Sequence, residues 1–308
     1  MQVDWGRVAI VTAADTGYAA TAIGLVRSLR DAEAALGGAR LRVHVLDLGL
    51  GPDDRRALAD IARLVEVAPP LPLVGPPERR AFVLSRMVKA FLPMLVPGFL
   101  AYIWLDADTW VQTADALTHL MQAMRRVDCA AVPEIDPSYG YLFRADSVER
   151  QVMLRRLERN CGKAAGRFLF TLPSMNAGVV VARRRSPVWA AWQKRVADAC
   201  QRAGRIELLS DQAALNAALY LDGVPFMPLS ADMNWLMSGA LPAIDAEGFL
   251  VTPRAPHRRI GICHLTHLVG KGPFAVRRVG GARIPLHLDY QTIAAWRADT
   301  AAAAGAPP

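Results

Sequence analysis

The chain has 308 residues, of which 53% are hydrophobic, and 36 Lys plus Arg stand against 28 Asp plus Glu for a formal charge of +8. That balance excludes a disordered or fibrous chain, and the length supplies a sizeable core for one large α/β domain or two smaller ones. The longest uncharged stretch, the 16 residues between Lys89 and Asp106, contains Pro93, Pro97 and Gly98 and is too short and too broken to cross a bilayer.

Taken in chain order, Val- and Ile-rich runs alternate with segments of helical period, the pattern of a mostly parallel sheet covered by helices. Val8–Thr12 reads as a first strand; Arg7 and Asp15 around it leave no room for a leader-type apolar region, so the start reads as cytosolic. Ala19–Leu36 reads as a helix ending at Gly37-Gly38, Leu41–Leu46 as a second strand, and Pro52–Ala62 as a helix with Pro at its start. Pro77–Leu92, Asp115–Arg125 and Pro187–Ala203 read as further helices.

Leu100–Leu105 is the clearest buried strand, and Cys129–Val132, Ala177–Ala182 and Arg259–Cys263 complete a set of core strands. Residues 133–174, rich in Arg and aromatics, fit neither period and are expected to form an insertion or lid on a single domain spanning 1–296, with 297–308 as a frayed tail. The four cysteines (Cys129, Cys161, Cys200, Cys263) are scattered without metal-type spacing and suit buried thiols in a reducing compartment.

In YIWLDADTWV, from Tyr102 to Val111, an apolar strand ends in two carboxylates one residue apart. In extended geometry Asp106 and Asp108 share a face, and two like charges so close favour a cation between them; hard oxygen ligands suit Mg²⁺ or Mn²⁺. Alone, such a pair also occurs on solvated loops. The other segments carry their own alternatives. Asp15 either accepts from a base or ribose donor or caps the next helix, and Tyr18 either stacks on a base or packs as an ordinary aromatic. Asn176-Ala177-Gly178 either holds sugar hydroxyls with close backbone approach or starts a strand, and Asp211 either meets a ligand or caps a helix. Arg86 and Lys89 reach a nucleotide or lie on a solvated helix face.

Six segments stand in a known order: IVTAADTGY (Ile10–Tyr18), VHVLDLGLGPDDRRAL (Val43–Leu58), YIWLDADTWV, MNAGVVV (Met175–Val181), LLSDQAALNAAL (Leu208–Leu219) and HLTHLVGKGPF (His264–Phe274). In these the chain resembles glycosyltransferase family 8. The resemblance implies a GT-A type α/β fold and a metal-dependent, retaining hexosyltransferase taking a UDP-sugar. It implies a donor site of Ala13, Ala14, Asp15, Tyr18, Lys89, Asp106, Ala107, Asn176, Ala177, Gly178, Gly270 and Lys271. Asp211 is expected on sugar hydroxyls and Gln212 against the developing oxocarbenium ion. Asp106, Asp108 and a histidine are expected to hold Mn²⁺ or Mg²⁺, with His267 favoured over His264.

The match departs from the family in two places. His267-Leu268-Val269-Gly270 is followed at once by Lys271 rather than after a spacer, and Lys89 stands where an Arg is common, a point charge without the bidentate fork. Between Arg254 and Arg283 there are seven Lys plus Arg and no acid, a field suited to a diphosphate and to peripheral contact with anionic lipid. The acceptor is expected to be a carbohydrate or lipid-linked saccharide. Glu134 and Asp136 reach acceptor or donor, or form a solvated loop. A nucleotidyltransferase would show a Gly-rich basic loop after the first strand, whereas AADTGYAAT is acidic; a non-catalytic nucleotide-sugar binder is the other alternative. The pI near 9.7 permits nucleic-acid binding, but no recognition motif supports it.

Overall fold

A computed structural model describes residues 3–72, 79–203, 209–303 and 305. In chain order the elements are β1 Val8–Ala14, α1 Ala19–Ala35, β2 Arg42–Asp47, α2 Pro52–Ala59, β3 Arg63–Glu66, α3 Arg80–Met87, α4 Leu92–Leu95, β4 Ala101–Leu105, β5 Thr109–Val111, α5 Ala114–Ala123 and β6 Cys129–Pro133. There follow α6 Val148–Cys161, α7 Lys163–Phe170, β7 Met175–Arg183, α8 Val188–Ala203, α9 Asp211–Tyr220, β8 Met227–Pro228, β9 Trp235–Leu236, β10 Ala243–Ile244, β11 Leu250–Val251, β12 Ile262–His264, β13 Phe274–Arg278, β14 Arg283–Leu286 and α10 Tyr290–Ala303.

Among the described residues, seven strands form a central sheet in the order β3-β2-β1-β4-β7-β6-β8. Pairing is parallel from β3 to β4 and between β6 and β8, while β7 runs antiparallel to both β4 and β6. The expected mostly parallel α/β sheet is therefore present, with one reversed strand. That reversal positions the site: the carboxyl ends of β1, β4 and β6 and the amino end of β7 all reach the same edge, where ligands of open α/β sheets gather.

The apolar runs of β1 and β4 face two cores. Ala9, Val11, Tyr102 and Trp104 belong to the layer that includes α3 and α8, and Ile10, Ile103 and Leu105 to the layer beneath α1 and α5. This is why these strands read as unbroken hydrophobic sequence: alternate side chains meet different helix layers, and both layers exclude water.

Several expectations need correction. The strand expected at Arg259–Cys263 is Ile262–His264, and it belongs to a separate sheet ordered β5-β12-β9. Arg259 stays exposed, stacked over Phe249 and paired with Asp245 and Glu247. A second small sheet, β11-β10-β13-β14, was not foreseen. The expected Pro77–Leu92 helix starts outside the described residues and breaks after Met87 into a 3-10 turn, Val88–Phe91, before Pro93 opens a new short helix. Residues 133–174 are helical over α6 and α7. Only Leu157 and Asn160 are buried on α6, too narrow a stripe to show a period, and Gly166 allows α7 to approach it, since a β-carbon there would stand 2.4 Å from the Glu158 nitrogen. Residues 297–303, expected to fray, continue α10, where Arg297 stacks over Phe249. All four cysteines are free thiols, with Cys129 and Cys263 buried and Cys161 and Cys200 partly so.

Candidate metal and donor site

The two carboxylates after β4 do not lie on extended chain. The Thr109 amide and hydroxyl both donate to the Asp106 carbonyl (3.0 and 2.7 Å), making a tight turn between β4 and β5. The turn nonetheless brings both side chains to one point, because His264, last residue of β12, pairs with Thr109 of β5. Nε2 of His264 lies 3.4 Å from Oδ1 of Asp108 and 3.9 Å from Oδ2 of Asp106, and one ligand atom from each of the three residues falls within 4.8 Å of the others.

Two carboxylate oxygens and an imidazole nitrogen are a reasonable donor set for a divalent ion such as Mn²⁺ or Mg²⁺. Of the two histidines, the one that meets the carboxylates is His264, not the favoured His267. His267 lies on the exposed 3-10 turn Thr266–Leu268, outside this group.

Burial pulls the His264 pKa down, but the Asp108 and Asp106 carboxylates outweigh it and raise it above its usual value. For Asp108, burial acts upward, and His264 with Lys89 brings the net shift below the usual carboxylate range. Positive charge is favoured at this point, whether a proton or a metal ion supplies it.

Lys89 is neither on a solvated face nor free to reach a nucleotide. It is 7% exposed, and its Nζ stands 2.7 Å from Oδ1 of Asp106 and 2.6 Å from Oδ2 of Asp211. Burial lowers its pKa, yet the Asp106 and Asp211 carboxylates raise it overall, so the ammonium stays charged. Asp106 Oδ1 also accepts from the Trp104 indole N–H at 2.7 Å. Asp211 is held by this ion pair and does not cap α9; the Ser210 hydroxyl does, accepting from the Ala213 amide at 3.2 Å. Arg86 is likewise tied down, stacked over Phe82 and donating to the Leu209 carbonyl at 2.6 Å.

The Asn176–Gly178 segment serves the protein itself. Asn176 Oδ1 accepts from the Gly178 amide (2.7 Å) and from Asn234 Nδ2 (2.8 Å), while its Nδ2 donates to Glu134 Oε1 (2.7 Å) and Gln212 Oε1 (3.1 Å). Each end of the amide thus has two partners within the protein. Gly178 admits the His264 ring rather than a ligand backbone: a β-carbon there would stand 2.4 Å from His264 Cε1. The Ala177 carbonyl faces Lys89 Nζ at 3.4 Å.

Gln212 is fixed at both ends of its amide, with Nε2 donating to Ser174 Oγ at 3.0 Å. Glu134 joins the same network, and burial raises its pKa against the partial opposition of the Asn176 and Gln212 hydrogen bonds.

Asp15 caps the 3-10 turn Thr16–Tyr18 by accepting from the Tyr18 amide at 3.2 Å. Tyr18 is 44% exposed; partial burial first, then the charges of Asp108, Asp15 and Asp106, raise its pKa. Ala13, Ala14 and Ala107 are buried in the cores. Gly270 and Lys271 line a cavity of about 480 Å³ together with Gly17, Thr21 and Asp108, so the altered C-terminal motif still delivers a lysine to a cavity that Asp108 borders. Asn234 was not foreseen as a site residue: it lies in an unremarkable stretch, 58 residues from Asn176 and 30 from His264.

Comparison with protein-family models gives no match, and comparison with curated proteins gives none. Among solved structures the fold is shared with an active-site mutant of LgtC, with a TM-score of 0.54 at 17% identity over 94% of this chain and 95% of that one. It is shared also with galactosyltransferase LgtC in complex with donor and acceptor sugar analogues, with a TM-score of 0.53 at 18% identity over 97% of each chain. The bifunctional glycosyltransferase WbbM gives 0.54 at 14% identity over 95% of this chain and 51% of that one. At these identities the likeness defines architecture: the chain has the GT-A glycosyltransferase fold.

Proposed function

We propose that the chain is a metal-dependent retaining glycosyltransferase that transfers a hexose, glucose or galactose, from a UDP-sugar to a carbohydrate or lipid-linked acceptor in polysaccharide or lipopolysaccharide synthesis. The observation that carries this reading is the meeting of Asp106, Asp108 and His264 at the ligand edge of a GT-A sheet, beside a cavity that Lys271 also lines.

A divalent ion bound there, Mn²⁺ or Mg²⁺, would supply Lewis-acid stabilisation to the departing diphosphate. Asp106, Asp108 and His264 would hold it, and Lys271 adds a positive charge to the leaving group. Tyr18 and Asp15 take the uridine. Lys89 keeps Asp106 and Asp211 at fixed separation, so the metal end and the sugar end of the donor stay in register. Gln212 is held between Asn176 and Ser174, and we assign its Oε1 to the positive charge that develops at the anomeric carbon. An amide is a poor nucleophile, which favours front-face attack over a covalent intermediate.

The acceptor enters from the 133–174 side, where a cavity of about 370 Å³ is lined by Ile135, Asp136, Pro173 and Arg258. We place the enzyme in the cytoplasm, in peripheral contact with anionic lipid through Arg277 and Arg283 of the exposed β13–β14 hairpin. Part of the basic field is committed elsewhere: Arg258 faces Asp136 and Asp232, and Arg259 is paired. Co-sedimentation with anionic vesicles at physiological salt checks the membrane contact, and its absence removes it. No helix among the described residues is long and apolar enough to cross a membrane.

The deciding experiment is UDP release from a panel of UDP-sugars, with Mn²⁺ or chelator, on the native chain and on Asp106→Asn/Asp108→Asn. Metal-dependent release with one sugar, abolished in the variant, supports the proposal and names the sugar. Mn²⁺-dependent UDP binding without release points to the non-catalytic binder, and no UDP binding at all overturns the nucleotide-sugar reading.

A further inference from the structure

We infer that Asn234 is a positioning residue that fixes the tautomer and ring plane of His264, and so sets the metal affinity of the Asp106–Asp108–His264 group; this rests on reading that group as a divalent-metal site. The argument starts from a donor whose identity is beyond choice. The Gly178 backbone N–H points at one end of the Asn176 amide at 2.7 Å, so that end is Oδ1. The other end faces Glu134 Oε1 at 2.7 Å and is therefore Nδ2.

Asn234 approaches Asn176 Oδ1 at 2.8 Å, and an oxygen there would set two acceptors against each other, so the approaching atom is Asn234 Nδ2. The remaining end of Asn234 is then Oδ1, and it lies 2.8 Å from Nδ1 of His264. An acceptor at that distance requires Nδ1–H. The lone pair for a metal is thereby assigned to Nε2, the nitrogen that faces Asp108 and Asp106.

Every link in this chain is sheltered. Asn234 is 1% exposed and His264 4%, and Gly178 packs so tightly against the ring that a β-carbon would stand 2.8 Å from Nδ1. The ring cannot turn over without leaving Asn234 Oδ1 unpaired in a buried place. Fixing a metal-bound histidine through its other nitrogen is a general device, and loss of the partner typically weakens metal affinity by about 10- to 100-fold.

The same links join the metal group to Glu134 and Gln212 through Asn176, so one backbone amide orients both the metal ligand and the side chains at the reacting face. With Nδ1 deprived of its acceptor, the alternative Nε2–H tautomer donates to Asp108 and competes with the metal for the same position.

The test is Mn²⁺ binding, followed by the electron paramagnetic resonance signal of free Mn²⁺, on the native chain, Asn234→Leu and Asn234→Asp, without nucleotide. Leu removes both hydrogen bonds at similar volume, whereas Asp keeps the acceptor for Nδ1–H while losing the donor to Asn176 and adding a buried charge. The expected result is weakening by about 10- to 100-fold in Asn234→Leu and near-native affinity in Asn234→Asp, although the Asp variant unfolds at lower denaturant. A merely structural role predicts that Asp loses metal at least as severely as Leu, and that result, or unchanged affinity in Leu, overturns the inference.

Should Asn234→Leu fail to fold, long-range ¹H–¹⁵N spectra of the native chain loaded with diamagnetic Mg²⁺ read the His264 tautomer directly. A proton on Nδ1 sustains the inference, and a proton on Nε2 ends it. Failure of the native chain itself to bind Mn²⁺ or Mg²⁺ is a different result: it removes the metal reading on which this inference stands.

Discussion

The α-carbon of Gly178 lies against the imidazole of His264, so close that a β-carbon would stand 2.4 Å from Cε1 and 2.8 Å from the Asn176 Oδ1 it must also clear. Neither neighbour is the free end of a flexible chain. Gly178→Ala is expected to cost about 1–3 kcal/mol in denaturant unfolding through overpacking, and to weaken Mn²⁺ binding by displacing His264. An alanine variant of native stability and native metal affinity shows that the ring has room to move.

Lys89 answers two carboxylates from within the core. Removing one partner of a buried charge cluster leaves the others uncompensated, so Lys89→Met is expected to lose about 3–5 kcal/mol. Adding Asp106→Asn and Asp211→Asn is expected to restore most of that loss, because the amides carry no charge to strand. Chemical denaturation of the single, double and triple variants measures the coupling; simple additivity contradicts the ion-pair account.

Gln212 is held by Asn176 and Ser174, outside the Asp106–Asp108–His264 group. On the proposed mechanism, Gln212→Ala lowers kcat by about 10²-fold with little change in donor KM, since electrostatic help to a developing charge acts in the transition state. Initial rates at varied UDP-sugar decide the matter, and an unchanged kcat dismisses the role.

His44 offers a pH test far from the site. It is 4% exposed, and burial lowers its pKa to about 4, partly offset by donation from Nδ1 to the Arg42 carbonyl at 3.1 Å. The unfolded chain takes up a proton near pH 6.5 while the folded chain resists it. Stability is therefore fully present above about pH 6.5 and declines as pH falls toward 4, by about 3 kcal/mol at most. Urea unfolding at pH 7 and pH 4.5 is expected to show a steeper loss in the native chain than in His44→Leu; equal slopes sink the assignment.

The sequence by itself determined the central architecture, because strands covered on both faces must be apolar throughout and helices between them must show a period. β1, β2 and β4 fall within a residue or two of where Val8–Thr12, Leu41–Leu46 and Leu100–Leu105 were expected. Asp106 and Asp108 were legible for the same reason: a carboxylate pair at the end of a buried strand stands out against its neighbours. Short strands such as β9 and β10, two residues each, leave too brief a pattern to read. The charged surface of α6 hid its narrow buried stripe.

Only the tertiary structure decided which histidine meets the carboxylates, since that depends on the pairing of His264 with Thr109 across more than 150 residues of chain, not on motif spacing. It decided equally that Lys89 is paired with Asp106 and Asp211, and that Asn234 and Gly178 lie against His264. A side chain's type sets which bonds it can make; only packing sets which partner is within 3 Å when water is gone, and in a buried site that partner fixes the role.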